Sequence, residues 1–277
     1  MNIQNKIKEK IDQENIPFAS YAVTNEHETV LLEHYGNQLE GEDKPPSNST
    51  IYRIASMTKP IVTFAALKCV ELGLIDLDKP VHNFHPYLKD LEVGKLEEGK
   101  VVYEKANKDI TLHHLLAHTS GFAYDFHDPL LAHLILEEKI APLTDKEGNF
   151  IKIPLSYQPG TKWEYGVGLD WVGVILEKLM DKNLEEICRE LIFDPLGMND
   201  TSFDPNFLGK DRLAEMHLMD SGNFIHSTGL FDDSVQSFFS GGGGILSNPS
   251  DYCKFMRIFL SDSNPLLSNS LTSLMTT

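Results

Sequence analysis

The sequence predicts an α/β fold joined to an all-α part: an antiparallel sheet flanked by helices, with a helical domain inserted into it. Three observations carry this. Residues 18–23 and 29–34 are rich in β-forming side chains at the start of the chain. A second β signal lies far downstream, at Ile245-Leu246-Ser247. Between the two, apolar residues recur at helical spacing. The division expected is 1–66 with 236–277 for the sheet domain and 67–235 for the helical domain.

Ile3, Ile7 and Ile11 stand at four-residue steps and predict a short amphipathic helix over 3–14, closed by Pro17. Asn25-Glu26-His27-Glu28 separates the two β segments and makes them a hairpin. Gly36, Gly41, Pro45 and Pro46 mark 36–50 as loop. From Ser56 onward Ile61, Phe64, Ala65, Cys69 and Leu72 form one apolar stripe, and Gly73 ends the helix. Pro60 falls in its first turn, where a missing N–H is tolerated. The charged stretch 89–108 reads as an exposed, solvated excursion. A short helix over 111–118 stops at Thr119-Ser120-Gly121. Helices follow over 129–140, 168–181 and 183–193, with Pro195 after the last. Residues 200–235 read mostly as loop, 240–247 as a glycine-rich turn entering a short strand, and 251–260 as a final helix.

With 277 residues the chain can bury a sizeable core, and 41% hydrophobic with 23% charged residues is a globular composition. Its 24 basic and 41 acidic residues leave a net charge of −17, which argues against nucleic acid and anionic membrane surfaces as partners. Cys69, Cys188 and Cys253 are odd in number, far apart and in no metal-type spacing, so free thiols in a reducing compartment are expected. The first ten residues are polar and mixed in charge, unlike a signal peptide, and no run approaches transmembrane length. A cytoplasmic protein is the expectation.

Ser56-Met57-Thr58-Lys59 carries the chemistry. A Ser and a Lys three residues apart share one helix face, so the amine can reach the hydroxyl. A serine alone is a poor nucleophile, and a base beside it changes that. The S-x-x-K spacing occurs once in the chain. Taken alone it also fits a helix cap followed by a solvated lysine.

Three further segments follow in order: Leu115-Leu116-Ala117-His118-Thr119-Ser120-Gly121; Pro159-Gly160-Thr161-Lys162-Trp163-Glu164-Tyr165-Gly166-Val167-Gly168 with Asp170 and Gly173; and Gly241-Gly242-Gly243-Gly244-Ile245-Leu246-Ser247 with Asp251-Tyr252. Together with Ser56–Lys59 these resemble the serine β-lactamase/penicillin-binding-protein superfamily, in particular its class C-like (family VIII-type) esterase branch, from about residue 15 onward. The resemblance implies an acyl-enzyme on Ser56, with Lys59 and Tyr165 as the general-base pair. Lysine, with a pKa of about 10.4 in water, needs burial or donors to become a base, and tyrosine, at about 10, needs a nearby cation. Water or an alcohol would then release the acyl group. It also implies a small-molecule ester or acyl substrate, no cofactor and no metal, with the oligomeric state left open.

The family's second motif usually ends in Asn, where this chain has Val167. That turns the expectation from β-lactam or peptidoglycan DD-peptide hydrolysis toward esterase and acyltransferase members. The family's third motif, a K-T-G-like triplet, is not found in the sequence after residue 250. The expectation is therefore a chain lacking the C-terminal strands and one oxyanion donor, with Ser56 N–H as the other. Such a chain would be catalytically crippled unless a second polypeptide supplied the rest, since one donor is worth about 10²–10³ in rate. β-Lactamase or DD-peptidase activity, and a catalytically silent scaffold, stay open as alternatives.

Trp163, Val167, Tyr124 and Gly243 are the expected substrate-binding residues, and Phe126, Phe231 and Phe238 are further candidates to line an acyl pocket. Ordinary packing explains these aromatics equally well. His114 and His118, four apart on one helix, could hold zinc, but no Glu or third ligand accompanies them. The glycines at 241–244 lack the Lys-Ser/Thr of a phosphate loop and are expected to let main chain pass close to the floor of the site.

Overall fold

The computed structural model describes residues 3–228, 237–261 and 266–276. In chain order its elements are α1 (Ile3–Gln13), β1 (Phe18–Thr24), β2 (Thr29–Gly36), β3 (Tyr52–Arg53), α2 (Thr58–Glu71), β4 (Glu92–Glu97) and β5 (Lys100–Lys105). Next come α3 (Leu112–Leu116), α4 (Pro129–Leu136), α5 (Gly168–Met180), α6 (Leu184–Cys188), α7 (Asp194–Leu196) and α8 (Pro205–Leu208). The last are β6 (His217–Asp220), β7 (Asn223–His226), β8 (Leu246–Ser247), α9 (Pro249–Arg257) and α10 (Asn269–Thr276). The strands pair antiparallel as β1–β2, β3–β8, β4–β5 and β6–β7. Among the described residues no helix is long and apolar enough to cross a membrane.

The chain forms two compact units. The first holds residues 1–54, 193–235 and 245–264. Its β1–β2 hairpin is turned by the Asn25 side chain, whose Oδ1 accepts the backbone N–H of His27 and Glu28, each at 2.8 Å. Ser20 and His34 face each other across the ladder and share a 2.7 Å hydrogen bond. Helix α9 packs on the hairpin, and Arg257 reaches Thr24 and Thr29 at 2.9 and 2.6 Å. Ile51, Leu208, Leu213 and Leu246 form a buried apolar cluster in this unit.

The second unit holds residues 55–192, 236–244 and 265–277. All of α2 falls in this unit. The sequence predicts one apolar stripe on α2, but Ile61, Val62, Phe64, Ala65, Ala66, Leu67 and Cys69 are all buried, and Leu72 is exposed. Such a helix is covered on most of its sides. It packs on α5, which buries Trp171, Val172, Ile175 and Leu176. Trp171 donates its indole N–H to the Ile151 carbonyl at 3.0 Å, so the polar tip of the largest core side chain is satisfied.

Two loops expected from the sequence contain hairpins. Within 89–108, β4 and β5 are joined through Glu98 and Gly99, both with positive φ (49° and 76°). Within 200–235, β6 and β7 are joined through Ser221 and Gly222, again positive (48° and 84°). Two consecutive positive φ values make the turn that matches strand twist. The charges of 92–105 are partly a paired face, with Lys95 bonded across the ladder to Glu104 at 3.1 Å. Helix α4 stops at Leu136, short of the expected 140, and Glu138 takes a positive φ of 55°. The expected 183–193 helix is α6 followed by a π turn over Arg189–Phe193. The three cysteines are free and buried.

Candidate active site

Ser56 lies in a 3₁₀ turn, Ala55–Met57, that runs directly into α2. Met57 occupies the N-cap position of α2, and no side chain caps the helix there, so Ser56 is not spent on capping. Ala55 has φ +45°, the left-handed region that costs a residue with a Cβ roughly 1–2 kcal/mol. A strained turn thus presents an exposed serine at the start of a buried helix.

Lys59 follows one turn later and is only 7% exposed. Its Nζ donates to the Gly242 carbonyl at 2.7 Å, Ser56 Oγ at 3.1 Å and the Tyr124 hydroxyl at 3.3 Å. Those contacts use the three protons of an ammonium. The same Nζ stands 4.7 Å from the Tyr165 ring centroid and 5.4 Å from that of Tyr124, where ring faces favour a cation. Tyr165 completes the cluster: its hydroxyl donates to Ser56 Oγ at 2.7 Å. Lys59, three residues on, and Tyr165, distant in sequence, are therefore both within hydrogen-bond reach of Ser56 Oγ.

Tyr124 belongs to the same cluster, packed 5.2 Å from Tyr165, but its surroundings differ. Burial first, then the nearby Asp170, pushes its phenol well above the usual range, so it remains a neutral acceptor for Lys59. Val167 is buried at the residue before α5. Trp163 is 64% exposed and meets the His118 ring edge-on at 6.1 Å. Phe126 is exposed and stacks on Tyr124 at 5.0 Å. Gly243 lies beside the Ala55 main chain, with room for a Cβ at 3.9 Å. Phe238 instead packs edge-on against Phe150 at 5.6 Å. Phe231 lies outside the described residues.

Asp170, His118 and the glycine run surround the cluster. Asp170, in the first turn of α5, is 1% exposed; its Oδ1 accepts Ser240 Oγ at 2.5 Å and the Gly242 N–H at 2.9 Å. Burial pushes this carboxyl up, while Ser240, Gly242 and the Lys59 charge act the other way. A Cβ on Gly242 would fall 2.4 Å from Asp170 Oδ2, and one on Gly241 2.3 Å from the Leu169 carbonyl. Only glycine fits at both positions, which is the close approach the glycine run predicts. His118, at φ +55°, packs 4.8 Å from the Tyr165 ring, and its Nδ1 accepts the Gly166 N–H at 3.4 Å. Burial, then the Lys59 charge, pushes it down to about 4, so it is neutral at neutral pH. His114 forms a reciprocal capping box with Thr111. Among the described residues no cluster of three His, Cys, Asp or Glu could hold a metal ion.

The profile of the Beta-lactamase family matches residues 3–277. Lovastatin esterase from Penicillium rubens is 34% identical over 241 residues, covering 83% of this chain and 60% of the relative. Monacolin J acid methylbutanoyltransferase from Aspergillus terreus is 33% identical over 245 residues, covering 83% of this chain and 58% of that one. The chain thus spans less than two thirds of the length of these curated relatives. Among solved structures, a LovD6 mutant of simvastatin synthase from Aspergillus terreus superposes with a TM-score of 0.89 at 28% identity, covering 99% of this chain and 70% of that one. EstCE1, a hydrolase with promiscuous acyltransferase activity, shares the fold at a TM-score of 0.79 and 19% identity, covering 98% of this chain and 74% of that one. Motif order along the sequence and a match across nearly its whole length lead to one conclusion: this chain belongs to the beta-lactamase family, the serine β-lactamase/penicillin-binding-protein superfamily.

Proposed function

We propose that this protein transfers the acyl group of a small carboxylic ester through an acyl-enzyme on Ser56, to water or to an alcohol. The observation that carries the reading is the pair of hydrogen bonds on Ser56 Oγ, from Tyr165 at 2.7 Å and Lys59 at 3.1 Å. Ser56 is exposed to an incoming ester while the lysine beside it is buried.

In the proposed reaction the pair is reactive after losing one proton to solvent, as a Tyr165 phenolate beside the Lys59 ammonium; Ser56 Oγ then attacks the ester carbonyl carbon as its own proton passes to the Tyr165 oxygen. The carbonyl π electrons move onto oxygen, where the Ser56 N–H is our candidate donor to the oxyanion. The intermediate collapses, the C–O bond to the alcohol breaks, and the departing oxygen takes the proton back. An acceptor hydroxyl then repeats the sequence, and Ser56 Oγ leaves as the second leaving group. Tyr124 keeps its proton throughout and helps hold Lys59. The names of the relatives, an esterase and an acyltransferase, support either acceptor. No cofactor enters the scheme. The net charge of −17 supports a small-molecule partner rather than nucleic acid, and the free buried cysteines support a reducing, cytoplasmic setting.

The test is p-nitrophenol release from p-nitrophenyl butyrate in a single turnover, with and without a primary alcohol. A Ser56-dependent burst, with butyrate partitioning to the alcohol as the ester, is expected. Release that persists unchanged in Ser56→Ala would overturn the reading.

A further inference from the structure

We propose that Asp170 is a positioning residue of this site: through Ser240 and the Gly242 peptide it fixes the carbonyl that holds Lys59, and its buried charge balances the lysine's. The proposal rests on the Ser56–Lys59–Tyr165 reading and extends it to a carboxylate in the segment that holds Tyr165.

An aspartate in the first turn of a helix ordinarily sits in water and complements the helix dipole. Asp170 does not, being 1% exposed. Burying a carboxylate is expensive unless partners are built for it. Those partners converge from one segment. Ser240 Oγ and Gly242 N–H both donate to Oδ1, at 2.5 and 2.9 Å. Among the described residues Oδ2 has no hydrogen-bond partner, and it lies where a side chain at 242 would begin. A serine and a glycine are thus committed to seating this carboxylate against one stretch of main chain.

That stretch carries the shortest contact of Lys59. The Gly242 carbonyl accepts Nζ at 2.7 Å, against 3.1 Å to Ser56 Oγ and 3.3 Å to Tyr124. Only the φ and ψ of Gly242 separate its N–H from its carbonyl, and the turn is closed around them by the Gly243 and Gly244 N–H groups, which donate to the Ser240 carbonyl at 3.3 and 2.9 Å. The charged and titratable groups that sense Asp170 are Lys59 on α2 and Tyr124 in the segment after α3, with Tyr165 beside both. The carboxylate is the acidic group that acts on both Lys59 and Tyr124.

Two variants separate the two roles. Asp170→Asn keeps an oxygen acceptor and removes the charge; Ser240→Ala keeps the charge and removes one anchor. The readout is the acylation rate of the full chain with p-nitrophenyl butyrate across pH, with circular dichroism confirming the fold. For Asp170→Asn we expect acylation about tenfold slower, apparent butyrate-ester affinity within about threefold, and a rising pH limb displaced to lower pH, since loss of the anion eases proton loss from the pair. For Ser240→Ala we expect a severalfold slower rate and an unmoved limb. A folded Asp170→Asn with the parental rate and pH profile overturns the proposal, as does activity lost only in proportion to lost native signal. If Asp170→Asn does not fold, Ser240→Ala decides, and an unchanged rate overturns it. Absence of a Ser56 acyl adduct in the parent chain is a separate result that removes the underlying reading together with this one.

Discussion

Ser56 and Lys59 stand three residues apart, yet their surroundings are opposite. Ser56 is exposed on a strained turn, with Met57 beside it 47% exposed and Trp163 and Phe126 open to solvent nearby. Lys59 is buried together with Tyr124, Gly242 and Asp170. One half of the site is free to meet substrate, and the other is packed and hydrogen-bonded. The difference teaches where geometry is stored: in a buried polar network whose members satisfy one another, which rigidifies it and makes each loss costly.

The largest expected effect breaks the comparison by chemistry. Ser56→Ala and Lys59→Ala should each lower acylation by about 10⁴-fold. Only Lys59→Ala should also lower Tm, because it leaves the Gly242 carbonyl and Tyr124 hydroxyl buried without their donor, at about 1–3 kcal/mol. Thermal melts of both variants check this; equal melting points would contradict the division into halves. Next, Gly242→Ala places a Cβ 2.4 Å from Asp170 Oδ2 and should destabilise by about 1–3 kcal/mol, or roughly 2–4 °C in Tm per kcal/mol. Gly243→Ala, with 3.9 Å of room, should melt within about 1 °C of the parent.

A smaller effect appears with pH. His118 has a folded value pushed down to about 4 from 6.5. Between those values the unfolded chain binds a proton that the native site refuses, so stability falls as pH drops through that window. His118→Asn should flatten that part of the Tm–pH curve; an identical slope in the variant would contradict the assignment. The smallest effect belongs to the exposed half. Trp163→Ala and Phe126→Ala should leave Tm unchanged and raise the ester KM a fewfold, read from initial rates.

The two halves were unequally legible in the sequence. Ser56 and Lys59 stand out because a fixed three-residue spacing on a helix carries meaning by itself, and Tyr165 because its segment follows in family order. Asp170 is legible only as part of the Tyr165 segment, with no role of its own, since an acidic residue in the first turn of α5 looks like a dipole complement. Its partners lie seventy and more positions away, at Ser240 and Gly242, a pairing that only the fold discloses. The glycine run did predict a close main-chain approach, though not to which side chain. The hairpin β4–β5 is hidden for a related reason: charge density over 92–105 suggests solvated loop, while cross-strand pairs such as Lys95–Glu104 use those charges on a strand face. The available signals were Glu98-Gly99 and Ser221-Gly222, turn dipeptides between short β-forming runs.

The most direct measurement is intact-protein mass and peptide mapping after treatment with ethyl p-nitrophenyl methylphosphonate, run on the parent chain, Ser56→Ala and Tyr165→Phe. The account predicts one phosphonyl adduct, on Ser56, formed more slowly in Tyr165→Phe and not at all in Ser56→Ala. An adduct on another residue, or one that forms equally in Ser56→Ala, would contradict it.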